Sequence, residues 1–260
     1  MAADLLNLLS SKNIIVFILV FTRISGMLSS APLFATYPIP MQIKALLCAT
    51  IAFIMYPIVL NTTELQIPQN MIALSVFLIK EFFIGFLIGF IARFIFDAVQ
   101  IAGQTLGIQM GITMAQVLDP STGSQAPIVG QIYVYITTIV FICLNAHHWL
   151  FIAIYKSFTT ITPGWEFIFT PTLVKQVALL FSHMFVISFQ IILPIFCVLF
   201  ISEVLMGFMS KMMPQMNIFM VSLPLKIYLG LLLSLIFIRP MAEHMAIIIE
   251  QFLTKIAAIF

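Results

Sequence analysis

Few residues in this chain could do chemistry, and most sit where chemistry is costly. Arg23, Lys80, Glu81, Arg93, Asp97, Glu203 and Lys226 lie in or at the edges of long apolar runs. An ionised side chain at such a position faces protein or water rather than lipid, and marks either a proton path or a neutralised packing seam. Adjacent His147 and His148 suggest a metal site, but neighbours on a helix point about 100° apart and rarely share one ion without other partners. No HExxH accompanies them, and His183 and His244 have no ligand-spaced neighbours. They read better as polar residues at a helix end beside the interfacial Trp149. Cys48, Cys143 and Cys197 stand singly in apolar runs without a CxxC, as small buried hydrophobes do. There is no GxSxG, Cys/His pairing or P-loop, so nucleophilic and ATP chemistry lack support. The sequence therefore argues against an enzyme and implies no cofactor and no metal.

One helix orders its charges. Glu81, Gly85, Gly89, Arg93 and Asp97 recur every four residues, which on a 3.6-residue turn gives a slowly spiralling ridge. Glycines there permit close backbone approach, and Arg93 can pair with Asp97 at i,i+4. A helix-packing seam that carries the charges Glu81, Arg93 and Asp97 is favoured over a proton relay.

These residues must be positioned by membrane helices. The composition is 62% hydrophobic and 8% charged, against about 25% charged in soluble domains. A net charge of +2 without a basic tract gives no argument for nucleic acid. Six apolar stretches are expected, near 14–28, 43–60, 71–102, 128–155, 173–209 and 223–238, followed by an amphipathic helix at 241–260. The first reads as an uncleaved helix, because Arg23 interrupts its apolar run and Pro32 follows the only small-residue cluster. The prolines from Pro32 to Pro40 predict an irregular, extended connector. The third and fifth stretches exceed what about 30 Å of hydrocarbon needs, so they tilt, continue outside the membrane or kink, the fifth at Pro194. Lysine and arginine placement in a six-span model puts both termini on the cytoplasmic side.

Between the third and fourth stretches the character changes. Residues 103–131 hold Gly103, Gly107 and Gly111 at four-residue spacing, five glutamines including Gln104, Gln109 and Gln116, Met110 and Met114, and one charge, Asp119. A bent, protein-enclosed segment or the lining of a wet cavity is favoured over a plain GxxxG face. Asp119-Pro120 opens a turn. Further on, methionines from Met206 to Met220 suit either a loosely shaped core or an adaptable lining. Pro214, Gln215 and Asn217 form a polar hinge before the next apolar helix, with Lys226 as the single cation at its restart.

Several short motifs follow one another in a specific order. They are Arg23-Ile-Ser-Gly26, Glu81-x3-Gly85-x3-Gly89, and Gln100-x2-Gly103-x3-Gly107-Ile-Gln-Met-Gly111 with Asp119-Pro120. His147-His148, Ser157-Phe158, Pro214-Gln215-Met216-Asn217 and Pro224-Leu-Lys226 complete them. In this order the chain resembles the FliR/SctT export-gate family of type III secretion, on its flagellar branch.

The resemblance implies an all-α membrane protein of tilted, kinked helices and helical hairpins. A FliP-like N-terminal part, 1–172, would contain the plug loop at about 103–131. A FliQ-like hairpin with a C-terminal amphipathic helix would fill 173–260. It implies a non-enzymatic subunit that forms, with FliP- and FliQ-like chains, a channel for unfolded flagellar proteins. FlhB-like and FlhA-like components are further implied partners, and the bacterial inner membrane within the flagellar basal body is the implied location. The plug would comprise Gly103, Gly107, Gln109, Met110, Gly111, Met114, Asp119 and Pro120. The FliQ-like hinge would comprise Pro214, Gln215, Asn217 and Lys226. A small-solute secondary transporter, which also uses broken helices and buried charge, is the alternative.

Overall fold

Every apolar stretch of the sequence becomes helix in the computed structural model, which describes residues 11–36, 39–62, 70–112, 128–160, 171–215 and 217–259. Among the described residues there are eight helices and no strands: α1 Ser11–Ser30, α2 Pro32–Thr36, α3 Met41–Thr62, α4 Met71–Gln109, α5 Ile128–Cys143, α6 Ala146–Thr160, α7 Pro171–Met212 and α8 Ile218–Ile259. Five are long and apolar enough to cross a membrane, and the α5–α6 pair makes a sixth if it counts as one bent span. The fold class is that of an all-α membrane protein.

Helix starts follow local chemistry. Pro32 and Pro171 occupy first helical positions, where a missing N–H costs nothing and the fixed φ suits the helix. That is why the expected irregular connector after α1 contains a helical turn. Asn70 accepts from the Leu74 amide at the start of α4. Asn217 accepts from the Met220 amide through both its carbonyl and its side chain at the start of α8.

Three boundaries differ from the sequence reading. The fourth stretch is two helices, broken at Leu144–Asn145, where Asn145 takes the left-handed φ of +51°. Asparagine is among the few side chains that tolerate this conformation, and an apolar run does not advertise it. The separate C-terminal helix expected from residue 241 is instead the end of α8, which runs unbroken through Pro224 and Pro240. An interior proline forfeits one hydrogen bond, but Met241, Met245, Ile249, Phe252 and Ile256 form a continuous buried stripe that holds the helix. Finally, α4 extends to Gln109, seven residues past the expected end of its apolar run.

The chain divides into two compact units. The first takes residues 1–94, 145–181 and 250–260. Its α1 buries Val16, Leu19, Val20, Arg23, Ile24 and Met27, a stripe at three- and four-residue spacing. α3 packs beside α1, with Phe17 and Tyr56 rings edge to face at 6.5 Å. The second unit takes residues 95–144 and 182–249. In it α7 turns Met184, Ile187, Ile191, Ile195 and Leu199 inward, again every three or four residues. Its other face exposes Phe189, Leu193, Phe200 and Phe208.

Candidate functional site

In the first unit the glycine ridge of α4 meets α1 backbone to backbone. A Cβ on Gly85 would stand 2.7 Å from the carbonyl carbon of Arg23, and one on Gly89 2.8 Å from the amide nitrogen of Ala31. From the other side, a Cβ on Gly26 would stand 2.9 Å from the amide nitrogen of Phe86. Only hydrogen fits at these positions. The Ser30 hydroxyl donates to the Phe86 carbonyl at 2.8 Å across the same contact.

That close approach brings two charges together. Arg23 is fully buried, Glu81 is 2% exposed, and Arg23 Nε donates to Glu81 Oε2 at 2.5 Å. Arg23 Nη1 donates to Ser157 Oγ at 3.0 Å, and the guanidinium carbon lies 3.8 Å from the Phe158 ring centroid. Ser157 in turn donates to the Ile154 carbonyl. One arginine thereby ties α1 to α4 and to α6 with a carboxylate, a hydroxyl and an aromatic face. Spacing does not point to Arg23 as the partner of Glu81, since they lie 58 residues apart. The available signal is that Arg23 is a lone cation in one apolar run and Glu81 an anion in another. Farther along α4, Arg93 is exposed and Asp97 half-buried.

In the second unit the end of α4 is held at several points. Gly103 and Gly130 let α4 and α5 approach closely, a Cβ on Gly103 standing 2.8 Å from the Gly130 amide nitrogen. Gly107 and Leu106 are buried, and Met110 is fully buried. Met110 fills the space beside Gly230 of α8, where a Cβ would come within 2.5 Å of its Cε. The helix stops at Gly111, whose φ of +81° lies in the left-handed region that glycine adopts freely. Leu223 of α8 packs against it, its Cδ2 2.6 Å from a Cβ built there. Gly111→Ala is expected to destabilise this turn by about 1–2 kcal/mol through the backbone conformation alone. The check is hydrogen exchange of the 109–112 amides in the purified assembly, and unaltered protection would refute it.

A polar cluster sits beside this turn. Gln109 Nε2 donates to Glu203 Oε2 at 3.1 Å, and Lys226 Nζ lies 3.0 Å from Glu203 Oε1. Glu203 of α7 therefore joins the end of α4 to α8. Tyr133 Oη and Ser234 Oγ, 3.2 Å apart, link α5 to α8, with the Ser234 hydroxyl donating to the Gly230 carbonyl. Pro214 and Gln215 form the exposed turn between α7 and α8, Asn217 caps α8, and Lys226 lies two turns inside α8. The structure thus brings Gln109, Met110 and Gly111 together with the part of α8 that carries Lys226. Met114, Asp119 and Pro120 lie outside the described residues.

Comparison with known families covers most of the chain. The model of bacterial export proteins, family 1, matches residues 14–252. The chain belongs to that family. This export protein is 33% identical over 226 residues to the flagellar biosynthetic protein FliR of Bacillus subtilis, covering 85% of each chain. It is 26% identical over 234 residues to that of Escherichia coli, covering 86% of this chain and 85% of the relative. A third relative of the same name, from Aquifex aeolicus, is 26% identical over 228 residues, covering 87% and 86%. Both glycine contacts, the Arg23–Glu81 pair and the Glu203 cluster of this export protein fall inside the matched region.

Proposed function

We propose that this chain is a non-enzymatic subunit of the flagellar type III export gate. In this reading it assembles with FliP-like and FliQ-like chains into the channel through which unfolded flagellar proteins pass. It works beside FlhB-like and FlhA-like components in the bacterial inner membrane, within the flagellar basal body. A plug carried on the end of α4, from Gly103 through Pro120, seals the closed state. Residues 1–172 form its FliP-like part and 173–260 its FliQ-like hairpin, with Pro214, Gln215, Asn217 and Lys226 about the hinge.

The observation that supports the reading best is the end of α4. Residues 109–111, which end the helix at the left-handed Gly111, are held on α7 and α8 by small contacts: a methionine in a glycine notch and a partly exposed carboxylate. A seal needs good packing and a low cost of displacement, and methionine beside glycine provides both. The relatives named as flagellar biosynthetic proteins supply the flagellar context.

Deleting residues 107–119 is expected to leave an assembled gate that conducts ions in its resting state. Membrane conductance measured beside native mass spectrometry of the same preparation tests this, and unchanged conductance in an intact assembly would sink the plug. Purification separates the alternative. A monodisperse monomer or homodimer with substrate-dependent uptake would make the chain a small-solute transporter, whereas co-purification with FliP- and FliQ-like chains supports the gate.

A further inference from the structure

The geometry points to Glu203 as an electrostatic clasp: its two carboxylate oxygens, bound by Gln109 and Lys226, position the end of α4 on the α7–α8 hairpin. The inference rests on the proposed role of the 107–119 segment, and adds which side chains hold the start of that segment and by what force.

Three features carry it. First, the carboxylate is used on both oxygens by partners from two different helices, Gln109 of α4 at 3.1 Å and Lys226 of α8 at 3.0 Å. Removing Glu203 therefore releases both at once. Second, the Lys226 side chain is 15% exposed while that of Glu203 is 52% exposed. The ammonium is the shielded partner, and the carboxylate is the one a competing polar chain can reach. Third, the clasp lies beside the Met110–Gly230 and Gly111–Leu223 contacts, which are apolar and non-directional. Packing of that kind tolerates sliding, whereas a carboxylate bound at both oxygens sets a register.

The expected strength is small, which suits a contact that must open. Partly exposed ion pairs contribute on the order of 0.5–1 kcal/mol, equivalent to about a two- to fivefold change in the released population. Charge sign then makes the idea specific. Gln109→Glu sets a second carboxylate against Glu203 and releases the clasp. Gln109→Lys offers an ammonium to the same oxygen and keeps it. Exchanging the charges in Glu203→Lys with Lys226→Glu also keeps it, because the Gln109 amide can turn its oxygen toward the new ammonium.

The test uses the assembled gate carrying Glu203→Gln, Gln109→Glu, Gln109→Lys or the double exchange, with hydrogen exchange of the 106–112 amides and resting ion conductance as readouts. Glu203→Gln and Gln109→Glu are expected to speed exchange and raise conductance about two- to fivefold. Gln109→Lys and the double exchange are expected to match the parent. Unchanged exchange in Gln109→Glu, or equal loosening by Gln109→Lys, overturns the clasp. Faster exchange without added conductance keeps the clasp as a positioning contact and removes the sealing role. The two readouts therefore separate a failure of this inference from a failure of the plug itself.

Discussion

Replacing Arg23 with methionine is expected to destabilise the protein by about 3–5 kcal/mol. The loss does not come mainly from the missing attraction. Methionine leaves Glu81, 2% exposed, without the guanidinium that stands against its carboxylate, and an uncompensated buried charge carries the largest penalty of any single side chain. It also strips Ser157 of its donor and Phe158 of its cation. Global stabilities are about 5–15 kcal/mol, so the variant should lose from about a fifth to all of its margin. Detergent-titrated unfolding of the purified assembly measures this. The companion is Arg23→Met with Glu81→Leu, which removes both charges and should recover most of the loss, since apolar replacements of whole buried pairs are often neutral or better. A cost below about 1 kcal/mol for Arg23→Met, or no recovery in the double variant, would contradict the account. Arg23→Lys should fall between, because an ammonium cannot hold Glu81 and Ser157 in one planar fork.

Gly85→Ala is expected to be nearly as damaging, for a steric reason. In a free helix the change would stabilise by up to about 1 kcal/mol. Here the new methyl meets the backbone of Arg23, with the carbonyl carbon 2.7 Å away, and a backbone cannot rotate aside as a side chain can. α1 must separate from α4, which stretches the buried ion pair next to it. Overpacking of about 3 kcal/mol therefore outweighs the propensity gain. Gly207 supplies the control on the same protein. A Cβ there would meet nothing within 4 Å, so Gly207→Ala should be neutral or stabilise by up to about 1 kcal/mol. Similar melting temperatures for the two variants would show that the ridge contact is looser than described.

Particular residues show what a sequence can and cannot carry. The long apolar runs are legible because a helix in lipid needs only length and hydrophobicity, and α1, α3, α4 and α7 lie close to where hydropathy puts them. Asn145 is legible only in part: the polar residues about His147 and His148 mark a helix end, but the apolar flanks on both sides hide that the chain turns there through one left-handed residue. Pro240 misleads in the opposite direction: proline predicts a stop, but the buried apolar stripe that begins at Met241, directly after it, carries α8 onward. The polar segment after α4 stands out from its flanks, yet nothing in its spacing names Glu203, which lies 94 residues from Gln109. Likewise Glu81, Gly85 and Gly89 form a visible ridge, whereas the facing Gly26 and Arg23 come from another helix. Periodicity is local information and pairing is not.

The length of α8 has a consequence for how the cell must make this protein. Its 42 helical residues have a contour of roughly 63 Å at about 1.5 Å per residue, twice what the hydrocarbon of one bilayer covers. Met220, Tyr228, Leu235 and Ile247 are exposed along it, spread over about 40 Å of helix. A single crossing cannot shelter all of that surface in lipid, so the remainder requires protein cover from outside the chain. Synthesis ahead of that cover leaves a greasy rod for quality-control proteases to find. The amount of this chain that survives is then set by the supply of whatever covers α8, and raising its own dosage alone should yield degradation products rather than more folded protein.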